Sequence, residues 1–239
     1  MQNIQQGTFY LRDIHKTYRR GDEAVEIFED MDMEIHQGDF LAVMGPSGSG
    51  KTTLLNLLGG LDKPDQGEIW YGRQRIDEMG QDALANWRAL RLAFVFQSYN
   101  LLPMLSGVRN VELPLLLTSL SSVERKKRVA TALDLVGLSA HAHRLPAQLS
   151  GGQQQRIAIA RALVTDAAVL LCDEPTGNLD RKTSNEILEI LALLNSEFHK
   201  TIVLVTHDIE AASYARQLCR LDKGRFAFER VAVPEEMAE

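Results

Sequence analysis

The chain has 239 residues, 45% hydrophobic and 24% charged, which is enough apolar material for one large domain or two closely joined lobes. A formal net charge of −6 excludes a global positive field that would gather nucleic acid, so the basic run Arg125, Lys126, Lys127 and Arg128 reads as a solvated helix face. Cys172 and Cys219 match no metal-ligand spacing and each sits in an apolar stretch, so both are expected to be buried small hydrophobes.

The first residues, MQNIQQGTFYLRDIHK, contain no apolar core of signal-peptide type. Residues 8–43 predict short strands, TFYLRDI, AVEIFEDMDMEI and DFLAVMG, punctuated by Gly21 and the His36-Gln37-Gly38 turn. The third is continuously apolar and runs straight into a glycine-rich loop. Helical spacing follows from Lys51 to Leu58 and ends at Gly59-Gly60. Gly67 to Ile76 reads as a hairpin. Apolar residues recur at helical spacing over 81–92, 121–138, 151–164 and 183–198. The most apolar region, Leu101 to Leu117, is interrupted by Pro103, Arg109, Asn110, Glu112 and Pro114 and cannot cross a membrane. VLLC (169–172) and TIVLVT (201–206) suit fully buried strands of a parallel sheet, and the tail VPEEMAE reads as frayed.

Gly45-Pro46-Ser47-Gly48-Ser49-Gly50-Lys51-Thr52-Thr53 matches the phosphate-loop pattern in full, with an apolar strand before it and a helix after. Glycines let successive N–H groups converge on phosphate oxygens, and the helix start adds partial positive charge. Lys51 is expected to reach the β- and γ-phosphates and Thr52 to place its hydroxyl on Mg²⁺. A glycine-rich turn alone has no use for that lysine and hydroxyl. The loop by itself still leaves kinases, GTPases and motor ATPases open.

Val169 to Cys172 end in Asp173-Glu174, an apolar strand closed by two carboxylates. Beside a phosphate loop the first acid is expected to organise Mg²⁺ through a water, and Glu174 to polarise the water that attacks the γ-phosphate. Strand and helix alternate through the second half, which argues for an α/β fold. We read it as a P-loop NTPase core of RecA type, residues 1–97 and 156–239, carrying an N-terminal antiparallel β subdomain. Residues 98–155 form an inserted helical subdomain.

Leu149-Ser150-Gly151-Gly152-Gln153 opens another helix, with Ser150 at its N-cap and glycines that free backbone N–H groups for an anion. One active site needs only one such helix start. The simple resolution is that the second serves a nucleotide held by another copy of the chain.

With LSGGQ beside the phosphate loop, the chain resembles the nucleotide-binding domain of ABC transporters over essentially its whole length. That resemblance implies roles for Gln97 in VFQSYN as the glutamine that contacts Mg²⁺ or water and faces a membrane partner, and for Asp180 in GNLD as part of a loop crossing the dimer. It likewise implies that His207 in LVTHD contacts the γ-phosphate, and that Tyr18 in HKTYRRG stacks on adenine. The segments PSGSGKTTLLNLLGGLDKPDQGE, FVFQSYNLLPMLSGVRNVELPLLL and DEPTGNLD are similar to ATPases of lipoprotein-releasing, macrolide-export and related cell-division systems. The resemblance implies ATP and Mg²⁺ as ligands, a head-to-tail pair, and separate transmembrane permease subunits that hold this cytoplasmic chain at the inner face of the membrane. No nucleic acid and no direct membrane insertion are expected. Leu101 to Leu117 is then expected either to receive a short permease helix or to pack within the helical subdomain. A non-transport ABC complex and an ATP-binding module without turnover are the competing readings; intact Lys51, Asp173, Glu174 and His207 argue against the latter.

Overall fold

The computed structural model describes residues 7–21, 23–222 and 225–230; the tail read as frayed and residues 1–6 lie outside them. Strands β1 (Phe9–Arg20) and β2 (Glu23–Ile35) form a long antiparallel hairpin, both extending beyond the segments expected from sequence. Each carries a left-handed aspartate, Asp13 at φ 48° and Asp30 at φ 52°, and the register slips beside them. A bulge sends the side chains beyond it to the opposite face. In β2, Met31, Met33 and Ile35 are buried on one side of Asp30 and Phe28 on the other, which leaves Val25 exposed and Ile27 half-buried.

Strand β3 (Phe40–Met44) leads into helix α1 (Lys51–Leu58), with the bounds expected. β4 (Gln66–Tyr71) and β5 (Gln74–Arg75) complete the antiparallel sheet in the order β2-β1-β4-β5. Helix α2 (Gln81–Arg91) then runs directly into β6 (Leu92–Phe96), a strand the sequence reading left unassigned because no turn residue separates it from the helix. Helices α3 (Gly107–Glu112), α4 (Ser122–Leu135) and α5 (Gly151–Leu163) follow, with short 3-10 turns between them. The chain closes with β7 (Val169–Asp173), α6 (Arg181–Ser196), β8 (Thr201–Thr206), α7 (Ile209–Ser213), β9 (Gln217–Asp222) and β10 (Arg225–Arg230). β9 and β10 also went unread, since β9 buries only alternate residues and lacks the continuous apolar run.

The larger sheet has the order β10-β9-β3-β8-β7-β6, parallel throughout except at β10. Its central strands β3, β8 and β7 are apolar on both faces because both are covered. Leu41, Val43, Val169, Leu171, Val203 and Val205 face α1 and the antiparallel sheet. Phe40, Ala42, Leu170, Cys172, Ile202 and Leu204 face α3 to α6. Both cysteines are fully buried, as expected of small hydrophobes, and burial pushes each thiol pKa upward, that of Cys219 to about 12. Helix α5 crosses the notional boundary at residue 155, so one uninterrupted helix belongs to both the helical segment and the sheet's cover.

Leu101 to Leu117 packs only in part within the helical segment. Val111 and Leu115 are buried, while Leu102, Met104, Leu116 and Leu117 are exposed. Among the described residues no helix is long and apolar enough to cross a membrane. The basic run is not uniformly a solvated face. Arg125 turns inward to donate to Glu112 Oε1 at 3.4 Å and Leu120 O at 2.8 Å, leaving Lys126, Lys127 and Arg128 exposed.

Glu112 is a buried carboxylate at the end of α3, held by Arg109 at 2.6 Å as well as by Arg125. Burial acts to raise its pKa, and the hydrogen bonds and charges of the two arginines outweigh it, so the group titrates below its ordinary 4.5. A depressed folded-state pKa gives stability that is fully present above 4.5 and lost as pH falls through the folded value. Glu112→Gln should therefore lower the melting temperature at neutral pH, and the gap to the parent protein should close as the pH is brought below that range. Thermal unfolding of both proteins across pH measures this.

Candidate functional site

Parallel register decides what meets at the top of the sheet. Met44 pairs with Thr206, Val205 with Asp173, and Asp173 with Phe96, so β3, β8, β7 and β6 end level with one another. Adjacent strands lie about 4.8 Å apart. The residues that leave these strands are therefore brought side by side: Gly45 into the phosphate loop, His207, Glu174 and Gln97. Ligands of open parallel sheets bind beyond such carboxyl ends.

A cavity of about 630 Å³ opens there, lined by Ser47, Gly48, Gly50, Lys51, Thr52 and Thr53 from the phosphate loop and α1. Asp173, Glu174, His207 and Tyr18 complete its wall, together with Ile27. Gly48 at φ 79° and Gly50 at φ 104° give the loop its curl, conformations that side-chain-bearing residues adopt only at a cost. Lys51 is buried and donates to Gly45 O at 2.8 Å and Pro46 O at 2.9 Å, which folds its ammonium over the loop. The neighbouring Ser49 hydroxyl is buried with no partner. A cationic lysine, an orphaned hydroxyl and a helix start capped by glycine alone suit a cradle for phosphate oxygens.

Thr52 Oγ1 donates to Asp173 Oδ2 at 3.3 Å. Burial raises the Asp173 carboxyl above its ordinary value, and the adjoining Glu174 charge adds to that, against the opposing influence of Thr52 and Lys51. A divalent cation held beside Thr52 and Asp173 would relieve this. A hydroxyl and a carboxylate side by side are hard oxygen donors, a set that fits Mg²⁺ sharing its shell with phosphate and water.

Glu174 adopts a left-handed φ of 46°, fixed by its N–H to Val205 O at 2.9 Å and by its carbonyl accepting from Gly177 N at 3.1 Å. Strain of this kind persists where surrounding structure imposes it, often at functional sites. Its Oε2 lies 2.9 Å from His207 Nδ1. The same carboxylate and imidazole also line a second cavity of about 620 Å³, so the pair stands as a wall between two openings. Gln97 joins this turn indirectly: its amide donates to Asn178 Oδ1 at 3.3 Å and its carbonyl accepts from Asn178 Nδ2 at 3.2 Å.

Ser150, Gly151, Gly152 and Gln153 do not line the phosphate-loop cavity. Ser150 is exposed at the N-cap of α5 and trades hydrogen bonds with Gln153, Oγ accepting at 3.3 Å and N donating at 3.1 Å. Asp180 caps α6, accepting from Thr183 N at 3.0 Å and Thr183 Oγ1 at 2.7 Å, and these bonds hold its carboxyl below the ordinary value. Gly152 packs so closely on α6 that an added Cβ would sit 2.2 Å from Thr183 Cγ2.

Sequence reasoning missed Ile27 and Arg161, and gave Asn178 no role of its own within GNLD. Ile27 reaches the cavity only because β2 bulges. Arg161 donates to Tyr99 O at 2.9 Å and Asn100 O at 2.5 Å, gripping the segment after Gln97, whose residues 99 and 100 are both left-handed. Burial of its guanidinium lowers its pKa. No local motif marks that contact; only tertiary packing does.

A family model described as ABC transporter matches residues 28–177. An ABC transporter ATP-binding protein of Thermotoga maritima is 46% identical over 90% of this chain and 92% of its own length. The macrolide export ATP-binding/permease protein MacB of Syntrophobacter fumaroxidans is 45% identical over 93% of this chain, which spans only 32% of that longer protein. Among solved structures, the dimeric post-hydrolysis state of the ATP-binding cassette MJ0796 from Methanocaldococcus jannaschii, bound to ADP and phosphate, aligns with a TM-score of 0.87. It is 41% identical and the match covers 94% of this chain and 99% of that one.

The Gly152 contact makes a specific steric prediction. Gly152→Ala should destabilise the protein by about 1–3 kcal/mol, the usual cost of overpacking. Adding Thr183→Ser, which removes the clashing methyl, should recover part of the loss. Denaturant unfolding of the single and double variants measures the coupling, and equal losses in both would show that the clash is not the cause.

Proposed function

From the chain's membership of the ABC transporter family, as an ATP-binding ATPase subunit, we propose that two copies close head-to-tail around two MgATP and drive separate membrane permease subunits. The observation that carries the pairing is the separation of two helix starts. α1 begins within the cavity, buried around Ser49 and Lys51, whereas α5 begins at exposed Ser150, away from that cavity. A second chain, turned head-to-tail, would bring Ser150, Gly152 and Gln153 to a nucleotide held by Lys51.

In this reading the β- and γ-phosphates take the place of the Gly45 and Pro46 carbonyls as partners of Lys51. Thr52, Asp173 and Gln97 would hold Mg²⁺, which would supply charge neutralisation on the phosphate oxygens. Glu174 accepts a proton from the attacking water, and His207 holds the γ-phosphate side of the site. The 2.9 Å contact between those two side chains keeps both acting groups at one point. Tyr18 offers its ring to the adenine. Asp180 carries the dimer contact beside the partner's site. Loss of the γ-phosphate removes the group that both surfaces share, and the pair relaxes.

The likeness to an export protein supports an export or lipoprotein-release role, worked from the cytoplasmic face through the permease. The exposed Leu102, Met104, Leu116 and Leu117 are the apolar surface available to such a partner.

Glu174→Gln tests the centre of this scheme. Hydrolysis should fall by about 10²- to 10⁴-fold, the usual worth of a general base, while MgATP drives the variant into a stable dimer. Phosphate release and light scattering behind size exclusion read the two effects. A variant that stays monomeric with MgATP and hydrolyses normally would remove Glu174 from the role.

A further inference from the structure

The Tyr18 ring is held in place by two residues outside the cavity. Lys16 is buried, and its Nζ donates to Asp62 Oδ1 at 2.8 Å and to Lys63 O at 2.7 Å. The same ammonium lies over the Tyr18 ring, 4.9 Å from its centroid. Tyr18 Oη donates to Asp62 Oδ2 at 2.6 Å. The Asp62 carboxylate is thus shared by Lys16 on one oxygen and by the phenol on the other, and Lys63 N donates to it at 2.7 Å. Because its own charge is matched by Asp62, Lys16 can sit on the ring without leaving an unpaired buried cation.

This loop is tied to the phosphate site. Leu61 N and Asp62 N donate to Asn56 O, in α1, at 2.8 and 3.2 Å. Asp65 stitches the loop to β1 as well: its carboxylate accepts from Thr17 N at 2.7 Å and its N–H donates to His15 O at 2.9 Å. Helix α1, eight residues and about 12 Å long, starts at the phosphate loop and ends beside the clamp. The ring is therefore fixed with respect to the phosphate cradle, although it is attached to a strand of the other sheet.

We propose that Lys16 and Asp62 are positioning residues for the nucleobase: they orient the Tyr18 ring, and the ammonium on the ring draws electron density from its π-face, so that the opposite face stacks strongly on a purine. The clamp offers a π-surface, and the tyrosine hydroxyl is engaged away from the ring face by Asp62 and Thr53. It selects extended bases over small ones and does not separate adenine from guanine. The proposal rests on Tyr18 being the base platform, and its test separates the two ideas.

The test measures binding of Mg-ATP, Mg-GTP, Mg-CTP and Mg-tripolyphosphate, by calorimetry, to the parent chain and to Tyr18→Ala, Tyr18→Phe, Lys16→Met and Asp62→Asn. Lys16→Met and Asp62→Asn should each weaken ATP and GTP by about three- to tenfold, a fraction of a full stacking contact, with CTP changed less and tripolyphosphate unchanged. Tyr18→Phe, which keeps the ring and loses the hydroxyl's bonds to Asp62 and Thr53, should show a smaller loss of the same kind. Combined with Tyr18→Ala, Lys16→Met should add nothing further. If Tyr18→Ala weakens ATP while Lys16→Met and Asp62→Asn bind it as the parent does, the clamp is wrong and the platform stands. If Tyr18→Ala leaves ATP affinity untouched, the platform fails and the clamp with it. Equal losses for ATP and tripolyphosphate in the clamp variants would also overturn the proposal, because the damage would then lie in the phosphate loop.

Discussion

Everything at the site depends on the level ending of four parallel strands. A slip of one residue in the pairing of β3 with β8, or of β8 with β7, would separate Lys51 from Asp173 and His207 from Glu174. That register is enforced from both sides. Alternate residues of every central strand enter one of two different cores, so a slipped strand would present each core with the other's side chains. The apolar bulk that makes the sheet stable is also what aligns the polar groups above it.

The two glycine-containing helix starts use the same physics to different ends. At α1 the start is buried, the lysine is folded over carbonyl groups, and the donors converge inward. At α5 the start is exposed, and Ser150 and Gln153 satisfy one another through a capping box. The close packing of Gly152 on Thr183 sets that second start against the Asp180-capped helix, so the residues proposed to meet a partner chain form one surface.

Much of this was legible in the sequence. The glycine spacing of the phosphate loop, the acid pair closing an apolar run and the two-sided apolar strands are local signals whose cause lies within a few residues. β6 was not legible, because α2 passes into it without a turn residue. β9 and β10 were hidden for a related reason: strands near a sheet edge need bury only half their residues. Ile27 escaped notice because the left-handed Asp30 changes which face of β2 it occupies, and an aspartate at positive φ leaves little trace in sequence. The clamp on Tyr18 escaped because Lys16 and Asp62 are 46 residues apart and meet only through the fold.

Helix α5 has a mechanical consequence. Its 13 residues form a rod about 20 Å long. Ile157 to Ala160 are fully buried at its middle, Ser150 stands free at one tip, and Arg161 near the other tip grips the backbone two and three residues past Gln97. One rigid element therefore reaches from the surface proposed to meet a partner chain to the loop that follows Gln97, and the position of either end is referred to the same buried middle.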